Sequence, residues 1–260
     1  MARSAFPLAG RVALITGASA GIGRAIALRF AADGAAVAVN HLPDDGAARA
    51  ALDLVEEIRA TGGAAAAIAA DVADPDAVQA LIDTTCTSLG PPAILVANAA
   101  VSVTGQRSWH ELTAADWAEV LSVNVIGAFN CVQAAYPALS ASGHGSVVVL
   151  SSVTPLIGQT RNLHYVTSKA ALIGFTRALA REVGPDGVRV NAIAPGAIKT
   201  VSESAYGTEE EVAAAVLPLQ ALKKRGLPDD VAGVASFLCS DAAGFITGQL
   251  LVVDGGWVMH

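Results

Sequence analysis

Tyr165 and Lys169 stand four residues apart in the largely apolar stretch LHYVTSKAAL, Leu163–Leu172. On a helix, positions i and i+4 share a face and their side chains meet. An ammonium beside a phenol favours the phenolate and draws a pKa of about 10 down towards neutrality. The pair then forms a proton donor and acceptor that works at cellular pH. Such a pair acts only if other elements bring a reacting partner to it, so the rest of the chain must supply a binding site.

A candidate site lies near the start of the sequence. RVALIT (11–16) is an apolar run, and TGASAGIGRAIA follows it, with Gly17, Gly21 and Gly23 in the turn. Glycines between a strand and a helix let a diphosphate approach the backbone closely. The helix N-terminus adds free N–H groups and the positive end of its dipole. The spacing is G-x-x-x-G-x-G and not the commoner G-x-G-x-x-G. Its context, after a first strand and opening a helix, points to dinucleotide binding.

The remaining elements alternate. Strands are predicted at 11–16, 36–40, 64–71, 93–98, 145–152, 188–195 and 249–255. Helices are predicted at 21–35, 44–63, 74–90, 113–142, 162–184 and 228–241. Residues 64–71, AAAAIAAD, favour helix by propensity, but their place between two helices favours a strand. The strands are continuous apolar runs, as in a parallel sheet covered on both faces. The fold class is therefore α/β: one doubly wound Rossmann-type domain over 1–260, with about seven strands and helices on both faces. The polar stretch 197–227, with its Glu209-Glu210-Glu211 run, is the one long irregular segment and is expected to be a mobile substrate loop.

Composition narrows the partners. The net charge is −7 and the basic residues do not cluster, which disfavours nucleic acid and anionic membranes. No uninterrupted apolar run reaches the ~18 residues of a transmembrane helix. Cys86, Cys131 and Cys239 are odd in number and scattered. Neither a disulfide framework nor a metal-ligand spacing is evident, which fits a cytoplasmic protein without a metal.

Taken together, the ordered motifs resemble the short-chain dehydrogenase/reductase family over essentially the whole length. TGASAGIG is similar to its TGxxxGxG turn, and Ser152 with Tyr165 and Lys169 to its Ser…Tyr-x-x-x-Lys. Asn124 in SVNVIG matches its helix asparagine. Asp71-Val72 resembles the pair that contacts adenine, and APG at 194–196 with Thr200 the segment that closes on the cofactor. Where the family usually has N-N-A-G, this chain has Ala97-Asn98-Ala99-Ala100.

The resemblance implies hydride transfer between nicotinamide C4 and a secondary alcohol or carbonyl. Tyr165 would be general acid/base and Lys169 would acidify it and bind the ribose. Ser152 would hold the substrate oxygen, and Asn124 would hold a water that links Lys169 to solvent. Cofactor contacts fall on Gly17, Ser19, Ala20, Gly21, Ile22 and Gly23, on Asn40, His41, Asp71 and Val72, on Asn98, Ala99, Tyr165 and Lys169, and on Pro195, Gly196, Ile198 and Thr200. Asn40 and His41 stand where an acid would repel a 2′-phosphate, and His41 could donate to one. This favours NADP over NAD, although Ala20 and the nearby Asp44-Asp45 argue the other way.

The substrate wall is expected from 101–104, 153–162 and the 197–227 loop. Its polar members are Ser102, Thr104, Thr154, Gln159, Arg161, Asn162 and His164, with Ser152, Thr154, Gln159, Asn162 and Tyr165 as contacts. Their polarity suggests a sugar, polyol or small hydroxy-carbonyl compound. A 3-oxoacyl-type or hydrophobic ketone reductase is the alternative, as is a non-catalytic dinucleotide-binding sensor. The resemblance also implies a homotetramer.

Overall fold

The computed structural model describes residues 7–101, 105–201, 203 and 207–259. The seven expected strands form, all parallel: β1 Val12–Ile15, β2 Ala36–His41, β3 Ala65–Ala69, β4 Ile94–Ala97, β5 Ser146–Leu150, β6 Arg189–Pro195 and β7 Leu250–Val253. Their order is β3-β2-β1-β4-β5-β6-β7. The helices are α1 Gly21–Ala32, α2 Asp45–Ala60, α3 Pro75–Ser88, α4 Ala114–Leu121, α5 Ala128–Ala141, α6 Leu163–Val183, α7 Glu209–Val216 and α8 Pro228–Cys239.

Alternate residues of one strand face opposite layers. Ile15 and Val39 pack with Phe30, Leu54, Ile58 and Val231 from α1, α2 and α8. Leu14 and Leu95 pack with Leu81, Leu139 and Leu172 from α3, α5 and α6. Both faces of the sheet are covered, so its strands are largely apolar. The Ala-rich run becomes β3 because pairing with β2, Ala38 opposite Ala66 and Val39 opposite Ala67, overrides helix propensity.

Two expectations differ. The helix expected at 113–142 is two helices joined by a π-helical turn, Ser122–Gly127, which carries Asn124. The 197–227 stretch is not all irregular. Thr208 and Glu211 form a capping box and the glutamate run becomes the first turn of α7, where carboxylates favour the helix dipole. The stretch Ala114–Ala141 is, by length and composition alone, long and apolar enough to cross a membrane, although no uninterrupted apolar run within it reaches that length. In this fold α5 lays Cys131, Val132, Ala135 and Leu139 into the core beside the sheet.

The order of the strands reverses between β1 and β4. A crevice opens there, beyond the carboxyl ends of the strands, as in other open α/β sheets.

Candidate active site

The crevice is a cleft of about 610 Å³. Its floor is the glycine turn after β1. Gly17 has φ of +61°, and a Cβ there would lie 3.0 Å from Ala99 Cα; a Cβ on Gly23 would lie 2.5 Å from the Gly17 carbonyl oxygen. Only glycine fits these two positions. Thr16 binds the turn to the loop after β4: its hydroxyl accepts from the Asn98 and Ala99 N–H groups, both at 3.0 Å, and donates to the Val96 carbonyl. Asn98 Nδ2 donates to the carbonyls of Thr16 at 2.9 Å and Gly17 at 3.1 Å. Asn98 thus shapes the turn through its side chain.

The N-terminus of α1 borders the cleft. Its N-cap is the exposed Ala20, without a side-chain cap, and its first turn holds no acid. Free N–H groups, a positive dipole end and no competing carboxylate suit a diphosphate. With the two glycines whose Cβ would strike backbone, they fit the nicotinamide dinucleotide implied by the sequence. Gly17, Ala20, Gly21, Ile22 and Gly23 would hold it on this side. Pro195, Gly196, Ile198 and Thr200 line the facing wall.

At the far end, Tyr165, Lys169 and Ser152 border the same cleft. Lys169 is only 4% exposed. Its Nζ donates to the Leu150 carbonyl at 2.8 Å and lies 5.7 Å from the centroid of the Tyr165 ring. Burial lowers its pKa to about 8. The two serines after β5 differ. Ser151 donates its hydroxyl to the Lys169 backbone carbonyl at 2.8 Å. Ser152 accepts from the Thr154 N–H at 3.1 Å, which leaves its own proton for a ligand.

Other expected residues do not line the cleft. Asn124 is 1% exposed and both ends of its amide are engaged. Its Oδ1 accepts from the Val101 N–H at 2.8 Å, and Nδ2 donates to Ser168 Oγ at 2.9 Å. The side chain therefore fastens the segment after β4 to α6. Asn40 is buried; it accepts from the Gly17 N–H at 3.2 Å and donates to the Ala70 carbonyl at 3.0 Å. His41 is also buried, with Nδ1 2.7 Å from the Leu42 carbonyl oxygen, so that nitrogen is engaged within the chain. Asp71 caps its own turn through the Ala73 N–H at 2.9 Å, and Val72 is buried. Ser19 likewise stands outside the lining.

On the substrate side, Thr154 and Gln159 border the cleft. Asn162 and His164 are buried elsewhere, each 2% exposed, and Arg161 reaches the Gln106 carbonyl at 3.0 Å. Ser102 and Thr104 lie outside the described residues. Sequence reasoning did not single out Gln106, Val212, Ala215, Val216 and Trp257, all of which line the cleft. Among these, α7 had a readable signal, the T-x-x-E spacing of Thr208 and Glu211. Gln106 and Trp257 reach the site only through tertiary folding.

A sheet reversing at β1/β4, a glycine cradle beside it and a Ser-Tyr-Lys cluster define a dinucleotide-dependent oxidoreductase. Comparison with known proteins agrees. A family model described as enoyl-(acyl carrier protein) reductase matches residues 17–258. The 3-oxoacyl-(acyl-carrier-protein) reductase of Staphylococcus aureus is 40% identical over 247 residues, covering 95% of this chain and 98% of its own. A solved 7α-hydroxysteroid dehydrogenase, complexed with NADH and 7-oxo glycochenodeoxycholic acid, is 36% identical with a TM-score of 0.90, covering 98% of this chain and 97% of that one. A short-chain type dehydrogenase/reductase from Mycobacterium marinum is 33% identical with a TM-score of 0.89, covering 98% of each chain. The chain belongs to the short-chain dehydrogenase/reductase family. It is an oxidoreductase acting between a CH–OH group and a carbonyl.

Proposed function

We propose that the protein reduces, and in reverse forms, a ketone whose reacting end is polar and whose body is apolar, of the 3-oxoacyl or hydrophobic-ketone type. The observation that carries this reading is the lining of the cleft that Tyr165 borders. Thr154, Gln159 and Gln106 supply polar groups, together with Glu203, paired to Arg225, and Glu211, held in its capping box, whereas Val212, Ala215, Val216 and Trp257 supply an apolar surface. Two of the polar residues expected at the pocket, Asn162 and His164, are buried away from it. The similarity to 3-oxoacyl-(acyl-carrier-protein) reductases supports the same substrate class. The polar part of the lining also favours a second reading, a sugar or polyol.

When bound, the dinucleotide supplies or accepts the hydride at the substrate carbon. Tyr165 gives the phenolic proton to the carbonyl oxygen in reduction and takes it back in oxidation. The Ser152 proton, directed by the Thr154 N–H on the other side of its oxygen, stabilises the charge that develops there. Lys169 has three N–H donors. One is held by Leu150, and its charge stabilises the phenolate across the short gap to the ring.

We assign NADP as the preferred dinucleotide, because β2 ends on Asn40 and His41, neither of them an acid, where a carboxylate would repel a 2′-phosphate. We also take the active form to be a homotetramer, with the exposed Ile126 and Phe129 on the α4–α5 face among its contacts. Light scattering should return four chains per particle, and a monomer at micromolar concentration overturns that assignment.

Initial rates with 3-oxoacyl thioesters, hydrophobic ketones, sugars and polyols, each with both dinucleotides, test the substrate class. A higher kcat/KM for sugars or polyols than for any ketone overturns the first reading. Tyr165→Phe should lower kcat by about 10²–10⁴-fold and leave dinucleotide binding within about twofold, read by nucleotide fluorescence.

A further inference from the structure

Arg161 and Asn162 are the two non-glycine residues with positive φ among the described residues, at +71° and +51°. They stand directly before α6, the helix that carries Tyr165. Asn162 is the N-cap of α6, yet its backbone is left-handed and its side chain makes no cap bond. An asparagine N-cap ordinarily takes an extended backbone and caps the helix with its side chain, at a gain of about 1 kcal/mol. Consecutive left-handed residues other than glycine are costly, and they persist where the surroundings hold them.

What holds them is the segment 105–107. Asn162 Nδ2 donates to the Gly105 carbonyl at 2.8 Å, and Oδ1 accepts from the Arg107 N–H at 3.1 Å. The Asn162 N–H donates to the Arg107 carbonyl at 2.9 Å. Arg161 adds its bond to the Gln106 carbonyl. The other end of the segment is anchored as well. Arg107 grips both oxygens of Asp116, at 2.6 and 3.0 Å, and the Glu111 carbonyl at 2.6 Å. Those bonds hold the Asp116 carboxyl well below the usual carboxylate range. Residues 105–107 therefore form a strap tied to the starts of α4 and α6, and Gln106 in its middle lines the cleft.

We infer that Asn162 is a positioning residue: it ties the Gln106 strap to the start of the Tyr165 helix, so that the substrate-side wall and the proton donor keep one fixed geometry. The inference rests on the oxidoreductase reading. Asn162 touches no reacting atom, and its effect passes through Gln106 and the first turn of α6.

The test compares Asn162→Gly with wild type. Glycine accepts the positive φ and removes both side-chain bonds, so backbone strain is not the variable. The KM for the best carbonyl substrate should rise about tenfold. The dinucleotide Kd should stay within about twofold, and the Arg107 amide should lose hydrogen-exchange protection. Asn162→Asp retains the acceptor for the Arg107 N–H and should fall between the two. A lowered Tm with unchanged KM, or an unchanged Arg107 amide, overturns the inference. If wild type turns over no carbonyl in the panel, the oxidoreductase reading fails, while the exchange measurement still reports whether Asn162 holds the strap.

Discussion

The helices of this fold begin in two ways. α2 and α3 start with Asp44 and Asp74, whose carboxylates accept from the first-turn N–H groups. α4 starts with Thr113 and Asp116 in a reciprocal box. α1 and α6, whose first turns border the cleft, have no side-chain cap. The former starts satisfy themselves locally, as free-standing helices prefer. The latter leave local bonds unmade, and in both cases the freed groups face something else: a cradle for an anion at α1, a strap at α6. At α1 and α6 the start forgoes a side-chain cap where it borders the site, whereas α7, which also lines the cleft, keeps its capping box.

The comparison sharpens most at Lys169, in the second turn of α6. Burial lowers its pKa from the ordinary 10.5 to about 8. Below pH 8 folded and unfolded chains both hold the proton, and the folded chain carries the full cost of a buried cation. Between about 8 and 10.5 the unfolded chain binds more protons, so stability from this group rises with pH. Lys169→Met should therefore lower kcat by about 10²–10⁴-fold yet raise the Tm of the nucleotide-free protein at pH 7. That gain should shrink as the pH climbs from 8 to 10.5. A Tm below wild type at pH 7 would contradict the view that this side of the cleft sacrifices stability.

Ala20→Asp gives α1 the cap that α3 has. The N-cap backbone is already extended, φ −148° and ψ 170°. Thermal denaturation should show about 1 kcal/mol of added stability, and fluorescence titration a dinucleotide Kd weakened about tenfold as the carboxylate takes the anion's place. Equal affinity with and without the aspartate would break the contrast between the two kinds of start. The smallest effect is expected from Asp74→Ala. It should cost about 1 kcal/mol in denaturant unfolding and leave kcat and KM unchanged, because that cap serves only its own helix.

Much of the fold was legible because a covered parallel sheet leaves a plain trace, apolar runs such as Val12–Ile15 and Ile94–Ala97 between helical stretches. Tyr165 and Lys169 were legible because helical spacing alone makes them neighbours. The π turn at Asn124 was not, since SVNVIG contains no proline and its single glycine ends the turn. Nor were the roles of Asn40 and Asn162. An amide engaged in holding backbone and one aimed at a ligand have the same letter in the sequence, and only the positions of Gly17, Ala70, Gly105 and Arg107 distinguish them. The left-handed backbone at Arg161 and Asn162 leaves only a faint sequence signal, the tolerance of asparagine for that region.

The hydroxyl of Thr16 receives two amides from just beyond β4 and donates to the Val96 carbonyl within it. One oxygen thus welds two loops that belong to strands eighty residues apart in sequence. The corner they share cannot act as a hinge, since parting it would break all of these bonds together. Any shape change that a ligand draws from this cleft must be taken up by its other walls.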